Sequence, residues 1–135
     1  MKELLKTYWP TALTLLVIFY ATWLADPMPD TELPKIPLLD KLIHIIMMGG
    51  LTGALMFDYY RRKPHRPLTL RIIIAFTAGV MAFGIVDEVV QGLLPINRPS
   101  DPFDLLADWT GCLIGALIAP PVIRKIISGH WRPQP

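Results

Sequence analysis

The sequence predicts an all-α fold, a bundle of four transmembrane helices with both termini cytoplasmic, and three observations carry the prediction. Apolar residues make up 53% of the 135-residue chain and fall in long blocks, two of which, 72–86 and 109–123, hold no charge. Uncharged runs of this length are the mark of bilayer crossings rather than of a soluble core. Basic residues alternate between the connections. Lys2 and Lys6, then Arg61, Arg62, Lys63, Arg66 and Arg71, then Arg124, Lys125 and Arg132 hold ten of the 13, against Lys35, Lys41 and Arg98 in the other two connections. Cytoplasmic flanks are the lysine- and arginine-rich ones, so an even number of spans with cytoplasmic ends fits. The acids run the other way, nine of eleven lying in or beside the two outer connections.

The first span is expected over Tyr8 to Ala25, with Pro10 in its first turn, where a missing N–H is harmless. The stretch MKELLKTYWPTALTLLVIFYATWLADP has a basic start but no Ala-x-Ala cleavage pattern, so it reads as a retained helix that also serves as insertion signal. The second span is expected over Leu42 to Phe57, extending through the interfacial Tyr59 and Tyr60. The third covers Ile72 to Leu94. The fourth runs from Pro102 to Ala119, where Pro120 and Pro121 should kink or end it, leaving VIRKIISGHWRPQP as an interfacial turn and tail. The outer loop DPMPDTELPKIPLLD, with four prolines in fifteen residues, should be extended. Cys112 has no partner in the chain and sits in an apolar block, which excludes a disulfide framework. Nucleotide and nucleic-acid signatures are absent, and no cofactor is indicated.

Three of these helix ends bring polar residues to the same leaflet. At the start of the second span, DKLIH places Asp40 and His44 four apart on one face, with Lys41 three before His44. At the end of the third, DEVVQ places Asp87 and Glu88 beside Gln91. At the start of the fourth, Asp101, Asp104 and Asp108 form one stripe at spacings of 3 and 4, after a loop carrying Arg98 and Ser100. Part of the last group has a structural explanation: Asp101 as N-cap, Pro102 at N1 and Asp104 in the first turn make a helix start. His44, Asp87, Glu88 and Asp108 lie inside their spans, about 5 to 10 Å deep at ~1.5 Å per residue. Charged groups inside spans mark functional sites by default. Gly49/Gly53 and Gly111/Gly115 have GxxxG spacing, read as close packing within the bundle ahead of homodimer formation.

The ordered set Asp40-Lys41-Leu42-Ile43-His44, Asp87-Glu88-Val89-Val90-Gln91, Asn97-Arg98-Pro99-Ser100-Asp101 and Asp104-Leu105-Leu106-Ala107-Asp108-Trp109-Thr110-Gly111 resembles the VanZ-like family of small bacterial membrane proteins over residues 8–120. Two positions depart from the family pattern: Asn97 stands where Gly is usual, and Asp108 where Asn is often found. The resemblance implies a multi-pass protein of the cytoplasmic membrane, linked to the cell envelope and to teicoplanin resistance.

Two chemistries suit such a site. His44, Asp87 and Glu88 are the candidate acid/base residues. Asp40, Lys41, Gln91, Arg98, Ser100, Asp101, Asp104 and Asp108 are the candidate binding residues for a lipid-linked or envelope-derived anionic group, with Lys41 and Arg98 clamping the anion. A glycopeptide or a membrane-lipid head group would meet the same residues. A divalent metal is the alternative, since Asp87, Glu88, Asp104 and Asp108 are hard oxygen donors; no HExxH or Cys/His spacing supports zinc, and no metal ligand is assigned. A small proton-coupled transporter and a non-catalytic accessory protein are the other functions considered. The basic-residue asymmetry yields the first expected outcome. Cysteines introduced within residues 28–37 are labelled by an impermeant reagent on intact cells and those within 61–66 are spared, whereas labelling of the latter reverses the orientation.

Overall fold

The computed structural model describes residues 1–24, 38–63, 66–94 and 101–130. The Pro-rich outer loop up to residue 37 and the Asn97–Ser100 loop lie outside them. The described residues are helical: α1 (Lys2–Thr7), α2 (Trp9–Phe19) continued by a π-helical turn (Tyr20–Leu24), α3 (Leu39–Arg62), α4 (Leu70–Leu93) and α5 (Pro102–His130).

Three of these, α3, α4 and the Pro102–Ile127 part of α5, are long and apolar enough to cross a membrane. The fourth apolar segment, Trp9–Leu24, is shorter within the described residues, which stop at Leu24, one residue before the expected end of the first span. Its described residues rise about 24 Å at ~1.5 Å each, less than the roughly 30 Å of a hydrocarbon core. Of the two outcomes expected at Pro120 and Pro121, a kink or an end, the end is corrected: α5 continues through both prolines. Prolines of a membrane helix are tolerated where neighbouring helices pack against the interrupted ladder, and here Ala119 and Ile123 pack in a cluster with Met56 and Phe57 of α3 and Phe76 of α4.

Side chains are distributed inside out relative to a soluble protein. Leu16, Ile74 and Leu117 are exposed, while His44, Asp58, Asp87, Asp104 and Asp108 are buried. Such an exterior suits lipid, and each buried polar group must then find its partner inside. At one end of the bundle Asp58 of α3 does so by accepting the backbone N–H (3.0 Å) and hydroxyl (2.7 Å) of Thr11, which caps α2 from a neighbouring helix. Arg61 joins Asp58 at 3.3 Å and also donates to the Thr7 carbonyl. Arg124 of α5 reaches the Leu68 carbonyl before α4 at 3.4 Å. The start of α2, the end of α3, the start of α4 and the end of α5 are therefore at this basic end, and consecutive helices alternate in direction.

The largest helix contact joins α3 and α5, and glycine makes it possible. A Cβ on Gly111 would collide with the Ile45 carbonyl, and one on Gly115 would lie 2.7 Å from the Gly49 carbonyl. Gly49, Gly111 and Gly115 thus pack backbone on backbone within the bundle, while Gly53 faces the Ala119 Cβ at ordinary contact distance. Gly50, one residue away, has open space where a Cβ would go. Gly115→Ala should therefore lower stability in detergent by about 1–3 kcal/mol through overpacking. Gly50→Ala should be neutral or stabilising by up to about 1 kcal/mol. Equal thermal midpoints for the two variants would contradict the packing.

Candidate polar site at the acidic end of the bundle

At the opposite end, the first turn of α3, the last turns of α4 and the first turns of α5 converge. Helix α5 starts where Asp101 Oδ1 accepts the Phe103 N–H at 2.9 Å and its carbonyl accepts the Asp104 N–H at 2.9 Å, the capping expected from the sequence. Asp104 and Asp108 follow on the face turned to α3, because Gly111 and Gly115, three and seven residues beyond Asp108, hold that face against α3.

Lys41 lies in the middle of an acidic ring. Its ammonium bonds Asp101 Oδ2 at 2.7 Å, bonds Asp104 Oδ1, and stands 3.7 Å from Asp40 Oδ2. The ammonium beside Asp101 holds that carboxyl below the usual carboxylate range, helped by the Phe103 N–H. Lys41 is thus the counter-ion of three carboxylates from two helices. One turn deeper, His44 Nδ1 lies 2.8 Å from Asp108 Oδ1, with Nε2 3.8 Å from Asp104 Oδ2. A carboxylate on Nδ1 fixes the imidazole ring and its tautomer and leaves Nε2 for chemistry.

The two adjacent acids of α4 go different ways, as residues about 100° apart on a helix must. Asp87 turns to the first helix. Its Oδ1 accepts the Trp23 indole N–H at 2.7 Å with the Thr22 hydroxyl 3.2 Å away, and its Oδ2 accepts Gln91 Nε2 at 3.2 Å. Phe19 packs at a tilt on Trp23 and meets Phe83 edge-on, closing the same contact between the first helix and α4. Glu88 turns to α5. It shares with Val89, Asp101, Pro102 and Leu105 the lining of a cavity of about 210 Å³. Gly84, one turn earlier, faces Asp108: a Cβ there would be in ordinary van der Waals contact, 3.4 Å from Asp108 Oδ2. Two sets of side chains could each offer one ligand atom within 4.8 Å of the others, Asp40–His44–Asp104 and His44–Glu88–Asp108.

A model of the VanZ/LLP1 family matches residues 4–125. The chain belongs to the VanZ/LLP1 family. No curated protein and no solved structure matches it. In this VanZ/LLP1 chain the structure brings together Asp40, Lys41, His44, Glu88, Asp101, Asp104 and Asp108. It places Asp87 and Gln91 on the neighbouring contact with the first helix, and Arg98 and Ser100 lie outside the described residues. Sequence reasoning missed Thr22 and Trp23, the partners of Asp87. The available signal was a hydroxyl and an indole N–H at the end of an apolar run, at the level of the buried acids.

These geometries make the two acids of α4 unequal. Asp87→Asn keeps one acceptor and turns the other into a donor, so one of the Trp23 and Gln91 donors loses its acceptor and about 1–3 kcal/mol of stability should be lost. Glu88→Gln, which removes the charge from a buried side chain with an unpartnered oxygen, should be neutral or stabilising. Thermal unfolding of both variants in detergent checks this, and equal, mild losses would contradict it.

Proposed function

We propose that this VanZ/LLP1 protein lies in the cytoplasmic membrane with both termini cytoplasmic, and that its acidic end, facing outward, binds an anionic group of a lipid-linked or envelope-derived molecule. The observation that carries this reading is Glu88, which joins the His44–Asp108 pair on one side and lines a cavity with Asp101 and Leu105 on the other. A polar centre buried among three helices and continuous with a cavity is where a head group would enter from the membrane. The gathering of His44 and the acids around it at one end, away from the middle of the bundle, argues against a midplane transport site.

In this reading each residue has a distinct task. Lys41, Asp40, Asp101 and Asp104 form the rigid ion network that holds α3 to α5. His44, oriented by Asp108, and Glu88 exchange protons with donor groups of the ligand. Arg98, in the loop between α4 and α5, supplies the bidentate contact to phosphate or carboxylate that Lys41, already shared among carboxylates, does not. The teicoplanin link implied by the sequence resemblance fits a target at the outer face of the membrane.

The test is Arg98→Lys beside Arg98→Ala, scored for folded yield and for teicoplanin susceptibility of cells expressing the chain. Arg98→Lys should keep yield and thermal stability near wild type and lose the phenotype, because it preserves charge and loses the planar fork. Loss of the protein from the membrane would make Arg98 a structural counter-ion, and a stable, fully active Arg98→Ala would contradict the proposed site.

A further inference from the structure

Two buried oxygens at the acidic end have no hydrogen-bond partner: Glu88 Oε1 and Asp108 Oδ2. Their residues are 8% and 0% exposed. Buried carboxylate oxygens are costly to leave unpaired, and a specific orphan in an otherwise well-satisfied structure calls for an explanation. The rest of the region shows how thoroughly such oxygens are otherwise met. Asp87 takes Trp23 and Gln91, Asp58 takes Thr11 and Arg61, and Asp101 and Asp104 take Lys41. The two orphans flank the buried imidazole of His44, and His44, Glu88 and Asp108 each present a ligand atom within 4.8 Å of the other two.

We propose that His44, through Nδ1, Glu88 and Asp108 bind a divalent transition-metal cation, the ion taking the place of the proton between His44 and Asp108. One imidazole and two carboxylates form a mixed nitrogen–oxygen donor set, the kind that suits Zn²⁺ or Mn²⁺ better than Ca²⁺ or Mg²⁺, whose sites are built from oxygen alone. The alternative cluster, Asp40–His44–Asp104, is the poorer site because the Lys41 ammonium already occupies Asp104 and stands beside Asp40. Two carboxylates and one neutral imidazole would nearly balance a divalent charge, which the described cations do not do here. With three protein ligands the ion would keep an open position, toward the cavity that Glu88 lines. The inference rests on the same site as the proposed function, and in the loaded site it replaces proton exchange by His44 and Glu88 with a direct means of holding an anionic head group: a phosphate or carboxylate oxygen as a further ligand.

The experiment uses the full chain purified in detergent without a histidine tag, stripped with chelator, and titrated separately with ZnCl₂, MnCl₂, CaCl₂ and MgCl₂. Metal content after desalting and thermal unfolding are the readouts. Wild type should retain one Zn²⁺ or Mn²⁺ per chain and unfold at higher temperature when loaded. Glu88→Gln and Asp108→Asn, either of which suffices if it elutes as folded helical protein, should weaken binding by at least the roughly 10–100-fold that even outer-shell changes cost at metal sites. Asp40→Asn should leave binding intact. No retained ion in wild type overturns the proposal. So does retention that Glu88→Gln and Asp108→Asn do not weaken, or that Asp40→Asn weakens as much. The two readings fail separately. A protein that holds no ion but loses its phenotype in Arg98→Lys leaves the head-group reading standing, and one that holds the ion with a fully active Arg98→Ala does the reverse.

Discussion

Backbone contact between α3 and α5 is the constraint on which the acidic end depends. Gly111 meets the Ile45 carbonyl and Gly115 meets the Gly49 carbonyl, so these two helices approach more closely than any side chain at those positions would allow. Asp108 lies three residues before Gly111, on the same face of α5, and His44 is the neighbour of Ile45 on α3. The approach that the glycines permit is therefore what brings Asp108 Oδ1 to 2.8 Å from His44 Nδ1. One turn outward, the same approach brings Lys41 within reach of Asp101 and Asp104 together. Helix packing and site chemistry are one arrangement in this protein.

The remaining helices are fixed by buried carboxylates at their two ends. Asp58 caps α2 at the basic end, and Asp87 draws Trp23 and Gln91 together at the acidic end. With lipid outside there is little hydrophobic drive between helices, so such hydrogen bonds and close packing must hold the bundle. Against this background the acids divide by task. Asp58 and Asp87 hold helices, Asp101 and Asp104 hold Lys41, and Glu88 and Asp108 keep an oxygen each that the fold does not use.

Much of this was legible in the sequence. The 3.6-residue period put Asp40 with His44 and Asp104 with Asp108 on shared faces, and the GxxxG pairs marked the close contact. What single helices cannot reveal is which residues meet across helices. Nothing local to DEVVQ says that Asp87 faces Trp23 while Glu88 faces α5; only the rotation of α4 in the bundle decides it. Lys41 was expected to meet an anionic ligand because its pairing with Asp101 and Asp104 spans about sixty residues of chain. The Asp58–Thr11 cap escaped notice for the same reason, as its partners are 47 residues apart. Pro120 and Pro121 misled in another way. Their local cost is real, yet packing of Ala119 and Ile123 against α3 and α4 outweighs it.

The central claim is that a direct pairing of His44 with Asp108, set by the α3–α5 contact, builds the site. A double-mutant cycle on His44→Ala and Asp108→Ala, read as unfolding free energy in detergent, tests it most directly. Groups in contact inside one buried network should give a coupling of about 0.5–3 kcal/mol, each single variant stranding the other partner. Losses that add to within about 0.3–0.5 kcal/mol would mean that the two side chains do not meet, and the site as described would not exist.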